Sequence, residues 1–377
     1  MTSLFLQLIQ PVPFSGPREI TRDDLCEIKE QGMKHNMFPL IYSRLRENRR
    51  LIMPHKLGDD YLEETKGVYL KGVTQSLRQE AIENELTSLL SAHSIPSVVI
   101  RGNSLAKDIY KYPYCRTSSD IDILIKNADV LRADSVLQEH RYVRNDQLPL
   151  KFWLHRIHHA IYYHPETSDI IEIHWNFGIP YFFKLSSEEI WNEVVTTDSG
   201  TKGLSPHMLI IMLLIHHYMH SFRELRILVD ISWAFSVHER TLDLKQFIQR
   251  LKEIGLIKTT CIALSQMKSI WHGTISQMKI IDNVYQEIQK THRGIAALRS
   301  FFDMDFNRDY QFQNAKDTLM ARFALDSLST VARSFSKMLF PSPVVIKELY
   351  EDGRYSKLPF NYLKFIRWRV KEWMGGQ

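Results

Sequence analysis

Apolar positions along this chain change their period twice. Behind a Thr21-Arg-Asp-Asp24 stretch that reads as a capping box, Leu25, Ile28, Met33, Met37, Leu40, Ile41 and Leu45 recur at roughly helical spacing. A second, proline-free helix rich in Glu, Leu, Lys and Gln is predicted over Asp59 to His93, ended by Ser94-Ile-Pro96. The pattern then shortens. Ser97-Val-Val-Ile-Arg101 reads as a strand stopping at Gly102, Ser104 to Tyr110 as a helix, and Asp120-Ile-Asp-Ile-Leu-Ile125 as a strand. Pro113 and the polar run Arg116-Thr-Ser-Ser119 lead into that strand. Ala128 to Glu139 reads as a helix, and His155 to His164 and Asp169 to Trp175 as strands joined by Pro165-Glu-Thr-Ser168.

From Ser205-Pro206 onward the period is helical again, with proline at a first helical position. Helices are predicted over 206–220, 223–237, 243–254, 257–271, 278–290, 314–338 and 361–373. The expected fold class is α+β: a small mixed sheet with flanking helices, a helical N-terminal arm and a large helical C-terminal region. The expected division is 1–95, helical; 96–200, an α/β core; and 201–377, helical.

Composition narrows the setting. The chain has 377 residues, 44% hydrophobic, enough for one large core or two smaller ones, which excludes disorder and mini-protein scaffolds. Cys26, Cys115 and Cys261 are far apart and form no CxxC pair, so neither a disulfide framework nor a zinc ribbon is expected. No basic n-region precedes an apolar stretch at the N-terminus, so no signal peptide is expected. The longest apolar run, Met208 to Ile215, falls far short of the ~20 residues of a membrane span. A cytoplasmic protein is expected.

Asp120-Ile-Asp122 carries the most chemistry. Aspartate is depleted in strands, and residues i and i+2 share a face. Both carboxylates therefore project to one side while Ile121 and Ile123 enter the core. Two such charges repel unless a cation lies between them, and a hard divalent ion, Mg²⁺ first, suits the oxygens. Ile170-Ile-Glu-Ile-His174 repeats the pattern, with Glu172 and His174 on one face. A third carboxylate from a neighbouring strand would complete a two-metal site that aligns a triphosphate with an attacking hydroxyl.

Here the residues resemble a family. Val99-Ile-Arg-Gly-Asn-Ser-Leu-Ala106, Tyr110, Tyr112-Pro113, Arg116, Ser118 and Asp120 to Ile125 resemble the uncharacterised nucleotidyltransferases of the polymerase-β-like superfamily. In those, a K/R-G-x-x-L-A turn precedes an R-x-S-x-D-I-D-L-L-V strand. Ile171-Glu-Ile-His-Trp175 resembles their later v-E-l-H-W strand, and His216-His217, Leu225-Arg226 and Asp230 their helical l-H…H…l-R-x-l-x-D segment. Leu339-Phe-Pro-Ser342, Tyr350 and Tyr362 to Arg369 are similar to their tail.

The resemblance implies a nucleotidyltransferase core using Mg²⁺, with Mn²⁺ as an alternative, and a nucleoside triphosphate donor, ATP by default. Asp120 and Asp122 would hold the metal. Glu172 would share it and help deprotonate the acceptor hydroxyl. Gly102 would let the backbone approach the triphosphate, with Asn103 and Ser104 donating to it. Arg101 and Arg116 would neutralise phosphate, and Ser118, Arg226 and Asp230 would belong to the nucleotide site. One departure is Asn103, which stands where the superfamily turn usually carries Ser or Gly.

Other features read more plainly. His216 and His220 are four apart on a helix, but no H-E-x-x-H pattern surrounds them, so a cleft-facing or core role is expected over zinc. Strand parity puts His155 and His159 on one face and His158 and His164 on the other, so they should not form one site. Trp175 and Trp191 are expected in the core rather than stacked on a base. In the C-terminal helix Leu363, Ile366, Val370 and Trp373 are expected to pack on the body while its Lys and Arg stay solvated.

Four functions compete. The first is nucleotidyl transfer to a hydroxyl of a small molecule, peptide or protein. The second is transfer to RNA, as in tRNA-directed toxins, whose G-x-x-L…R-x-S-x-D-I-D pattern is similar. A non-catalytic nucleotide binder is the third, though all three carboxylates are present. The fourth, a kinase, would share Mg²⁺ and ATP but lacks its phosphate-binding lysine motif. Charge separates the first two. The formal net charge is +5, and Arg354, Lys357, Lys364, Arg367, Arg369 and Lys371 against Glu372 account for all of it. The sheet region carries no basic stripe, which favours a small donor and a non-RNA acceptor.

Overall fold

The computed structural model describes residues 3–11, 20–48, 55–110, 112, 114–145, 150, 154, 157–197, 200–271, 279–291, 315–340, 343, 346, 350 and 357–374. It is an α+β fold, with a central mixed sheet between a helical arm and a helical C-terminal region. The arm holds α1 (Ser3–Ile9), α2 (Arg22–Lys34), α3 (Phe38–Glu47) and the long α4 (His55–Ala92). The sheet region holds β1 (Ser97–Val99), α5 (Asn103–Ile109), β2 (Asp120–Ile125), α6 (Val130–Glu139), β3 (Val143–Arg144), β4 (His159–Tyr163) and β5 (Ile170–His174). After α7 (Ser187–Trp191), β6 (Val194–Thr196) and β7 (Lys202–Leu204) come α8 (Pro206–Met219), α9 (Leu225–Val237), α10 (Leu244–Ile254), α11 (Ile257–Ile270) and α12 (Lys279–Thr291). The described chain ends with α13 (Ala315–Ala321), α14 (Leu328–Leu339) and α15 (Leu358–Met374).

The central sheet runs β1-β2-β5-β4-β3. Only β2 and β5 pair in parallel among its described strands. Alternation then divides its two faces. Ile121, Ile123, Ile125, Ile171, Ile173, Ala160 and Tyr162 point one way, into a cluster with Ile82, Leu86 and Leu90 of α4 and Val130, Ala133 and Leu137 of α6. Fully burying each isoleucine contributes about 1.5–3 kcal/mol. A slip of one residue would exchange these for the carboxylates, so the core fixes the register that aligns the polar face. A second cluster joins the arm, the edge of the sheet and helices α8 to α12. Trp233 and Trp271 tie the arm to those helices, donating to the carbonyls of Ile9 and Leu6 at 2.9 and 3.1 Å.

Several expectations change. The Thr21 capping box forms, but the expected helix through Leu45 is two helices, α2 and α3. The chain turns at Asn36, whose φ is 54°, and Pro39 restarts it in the first turn of α3. The run 314–338 also divides. Asp326 leaves the helical path to cap α11, accepting from the amides of Ile257 and Lys258 at 2.8 and 2.7 Å. Ser327 then caps α14. Strand β4 begins at His159, not His155, which lies outside the described residues along with Pro113 and Arg354. Short β3, β6 and β7 carry too few residues for a period to show. Leu363, expected to pack on the body, is 66% exposed, whereas Phe365 is buried. Among the described residues no helix is long and apolar enough to cross a membrane.

Candidate active site

The polar face of the sheet carries the chemistry. In the parallel pair, Asp122 stands opposite Glu172 and Asp120 opposite Ile170. In the antiparallel pair, His159 stands opposite His174. Directly opposed residues share a face, so two carboxylates and two imidazoles converge from three adjacent strands.

Arg101, at the end of β1, reaches across this group. Its guanidinium pairs with Asp122 and lies 3.5 Å from Glu172 and 3.1 Å from His174 Nε2. Its other terminal nitrogen meets the His216 ring, 2.8 Å from Nε2. His174 Nε2 is itself 2.8 Å from Asp122 and 3.1 Å from Glu172. Burial opposes charge on His174, but the hydrogen bonds to the two carboxylates outweigh it and hold its pKa above the ordinary value. Burial likewise works against the Glu172 anion, yet His174, His159 and Arg101 bring its carboxyl down to about 2. Asp122 is lowered too, with Arg101 and His174 overcoming its burial. The Asp122 and Glu172 carboxylates thus share Arg101 and His174 as partners in a largely buried site.

The segment before β2 is fastened from both sides. Gln75 and Gln79 of α4 donate to the Ser118 carbonyl at 2.8 and 3.1 Å, and Arg226 of α9 donates to the Thr117 carbonyl at 2.9 Å. Ser118 Oγ donates to Asp120 at 2.9 Å, orienting that carboxylate. Arg116 is buried against Asp230, which takes Nε at 3.1 Å on both oxygens and an Nη at 3.0 Å. Tyr110 donates to the same carboxylate at 2.6 Å. Burial disfavours the Arg116 charge, but Asp230 more than restores it. The remaining nitrogen, Nη1, has no hydrogen-bond partner among the described residues, although Arg116 borders the cavity described below.

Gly102 occupies the turn before α5 with φ 67° and ψ −131°, a conformation that suits glycine alone. A Cβ there would lie 3.3 Å from Glu83 of α4, whose carboxyl is raised to about 8 by burial and by Glu80. Asn103 turns away from the polar face and donates to the Ser76 carbonyl at 2.5 Å. Ser104 is half-buried in the first turn of α5.

These groups line a cavity of about 270 Å³. Arg101, Arg116, Ser118, Asp120, Asp122, Glu172 and Arg226 all border it; Gly102, Asn103, Ser104 and Asp230 do not. His158, His159, His174, His216, His220 and Glu224 border it as well. His220 Nδ1 lies 2.5 Å from Glu224, whose carboxyl falls to about 2 because His220 and Arg226 outweigh its burial. His217 faces away, 2.8 Å from Gln266 in the core.

Parity misjudged the histidines. His158 sits in a bend just before β4, where its carbonyl accepts from Trp175 at 3.0 Å, and it does not follow the strand's alternation. Its ring reaches the same side as His159. Burial, with His159 next in weight, drives its pKa well below the ordinary value, and burial with His174 lowers His159 to about 4. Glu224, outside the expected site, lies four residues after His220, a spacing that brings the two within reach across the end of α8. Trp175 is buried and donates to the Leu154 carbonyl at 3.1 Å, and Trp191 packs half-buried against the larger core.

Residues 26–272 match a family of uncharacterised nucleotidyltransferases. The chain belongs to this family. No curated protein and no solved structure matches it. Nucleotidyl transfer is therefore its class of chemistry, with a nucleoside triphosphate as substrate. The site fits the divalent cation that nucleotidyltransferases generally use. Single ligand atoms of Asp122, Glu172 and His174 lie within 4.8 Å of one another, and Arg101 supplies positive charge where such an ion would supply it.

Proposed function

We propose that the chain is an Mg²⁺-dependent, polymerase-β-like enzyme, Mn²⁺ being an alternative, that moves AMP from ATP to a hydroxyl of a small-molecule, peptide or protein acceptor. The acceptor oxygen attacks the α-phosphorus, the bond to the bridging oxygen breaks, and pyrophosphate leaves. Asp120, Asp122 and Glu172 would hold the ion, which neutralises the triphosphate and acidifies the acceptor hydroxyl. Residues 96–200 carry the chemistry in this reading, and 1–95 and 201–377 supply its walls, in a cytoplasmic setting.

The chain's own groups divide the remaining work. Arg116, pre-aimed by Asp230, offers its unpartnered Nη1 to a phosphate oxygen. Arg226 and Arg101 add charge at the same wall, and Ser118 keeps Asp120 oriented. Asp230 acts through Arg116, and Gly102, Asn103 and Ser104 shape the turn behind it. Glu172, with its carboxyl near 2, is an anion throughout the physiological range, so it suits cation binding better than storing the acceptor's proton, which passes to solvent.

The observation that carries this reading is the Asp122–Glu172 register on the face opposite the isoleucine core. The test incubates the protein with Mg²⁺, each α-labelled nucleoside triphosphate, and either tRNA or cell lysate. Transfer of label with release of pyrophosphate is expected, to a non-RNA acceptor. Asp120→Asn is the cleaner variant, because Asp122 is also locked to Arg101 and His174. It should lose at least about a hundredfold in transfer while keeping its circular dichroism. Label in tRNA would redirect the acceptor to RNA; ADP in place of pyrophosphate would favour a kinase; full activity in Asp120→Asn would sink the site.

A further inference from the structure

Three imidazoles meet on the β4–β5 side of the cavity. The ring centroids of His158, His159 and His174 are 4.4, 5.0 and 5.8 Å apart. One ring nitrogen from each falls within 4.8 Å of the others. His158 Nε2 and His159 Nδ1 stand 3.1 Å apart, a contact that needs a shared proton or a shared cation to be favourable. His158 Nδ1 and His174 Nδ1 are buried without a hydrogen-bond partner among the described residues. A buried polar atom left in that state costs about 1–3 kcal/mol, and at His174, whose Nε2 is engaged by Asp122 and Glu172, an ion on Nδ1 would remove that cost.

We propose that His158, His159 and His174 form a nitrogen-ligand site for a transition-metal ion of the Zn²⁺ or Co²⁺ class, beside the oxygen-ligand carboxylates.

The spacing suits such an ion. With metal–nitrogen bonds of about 2.1 Å, neighbouring ligand atoms lie about 3.0 Å apart in octahedral and about 3.4 Å apart in tetrahedral geometry. The His158–His159 separation falls in that interval. Neutral imidazole prefers borderline metals, whereas Mg²⁺ prefers oxygen, so the two halves of the cavity separate cations by ligand softness. The backbone holds the set in place, since His159 stands opposite His174 in the sheet and the neighbouring His158 carbonyl accepts from the Trp175 amide. The His159 side chain is 24% exposed, which leaves the cluster open to the cavity.

The full chain, freed of any polyhistidine tag, is titrated with Co²⁺ and followed by visible absorption and calorimetry. Wild type should show the intense bands of a nitrogen-rich, low-coordinate cobalt site, bleached by Zn²⁺ and unaffected by a large excess of Mg²⁺. His158→Ala and His159→Gln should each weaken Co²⁺ binding by at least about tenfold, and Asp120→Asn should leave it unchanged. A pale octahedral spectrum erased by Mg²⁺ would overturn the proposal, as would unaltered affinity in His159→Gln. That variant decides alone if His158→Ala does not fold, because His159 lines the cavity. The readout is metal binding, so loss of nucleotidyl transfer leaves it standing, and its own failure leaves the transfer reading untouched.

Discussion

Replacing Asp230 with asparagine removes a full charge from the least accessible ion pair around the site. Arg116 and Asp230 side chains are 4% and 0% exposed, and the contact is bidentate. Asparagine could still accept from Tyr110, but its amide nitrogen would face the guanidinium, donor against donor. Solvent cannot screen what remains, so the cost is that of an uncompensated buried charge, about 3–5 kcal/mol. Equilibrium denaturation in urea should show that loss for Asp230→Asn. Arg116→Met combined with Asp230→Leu should recover most of it, because the double variant strands no charge. The reasoning fails if Asp230→Asn loses less than about 1 kcal/mol, or if the single effects simply add in the double variant. Asp230→Asn should also weaken triphosphate binding, through the displaced Arg116 rather than through a lost contact of its own.

Gly102→Ala should destabilise by about 1–3 kcal/mol in thermal unfolding, chiefly from the positive φ, since the Glu83 carboxyl that its methyl meets can move. Stability should fall as pH falls from about 6.5 towards 4. The His217 imidazole, lowered to about 4 by burial, stays neutral in the fold while the unfolded chain already takes up a proton at its ordinary 6.5. That difference amounts to about 3 kcal/mol, and His217→Gln should flatten the profile in urea titrations across this window. Ile123→Ala, under the carboxylates, should cost about 2–5 kcal/mol in the same assay and reduce transfer by loosening the β2–β5 register.

Much of the local structure followed from short-range rules. The Thr21 capping box, the start of α8 at Ser205-Pro206 and the Asp-Ile-Asp alternation needed only neighbouring residues, and all appear in the structure. Their physics is local: a cap accepts from amides two or three residues on, and a strand's faces alternate with each residue. Other features depended on distant partners. Nothing near Asp326 announces that its carboxylate will cap a helix beginning at Ile257, nor does Arg116 reveal a counter-charge 114 residues away in α9.

The sequence by itself determined that Asp120, Asp122, Glu172 and His174 lie on polar strand faces, because isoleucines between them must be buried. It also placed most helices within a few residues, since their apolar stripes are long. The tertiary structure alone decided that β5 lies parallel to β2, so that Asp122 meets Glu172, and that β4 pairs with β5, so that His159 meets His174. It decided too that His158, one residue outside the strand, joins them. Alternation fixes a side chain's face, but strand order and register, set by the packing of the opposite face, fix which side chains meet.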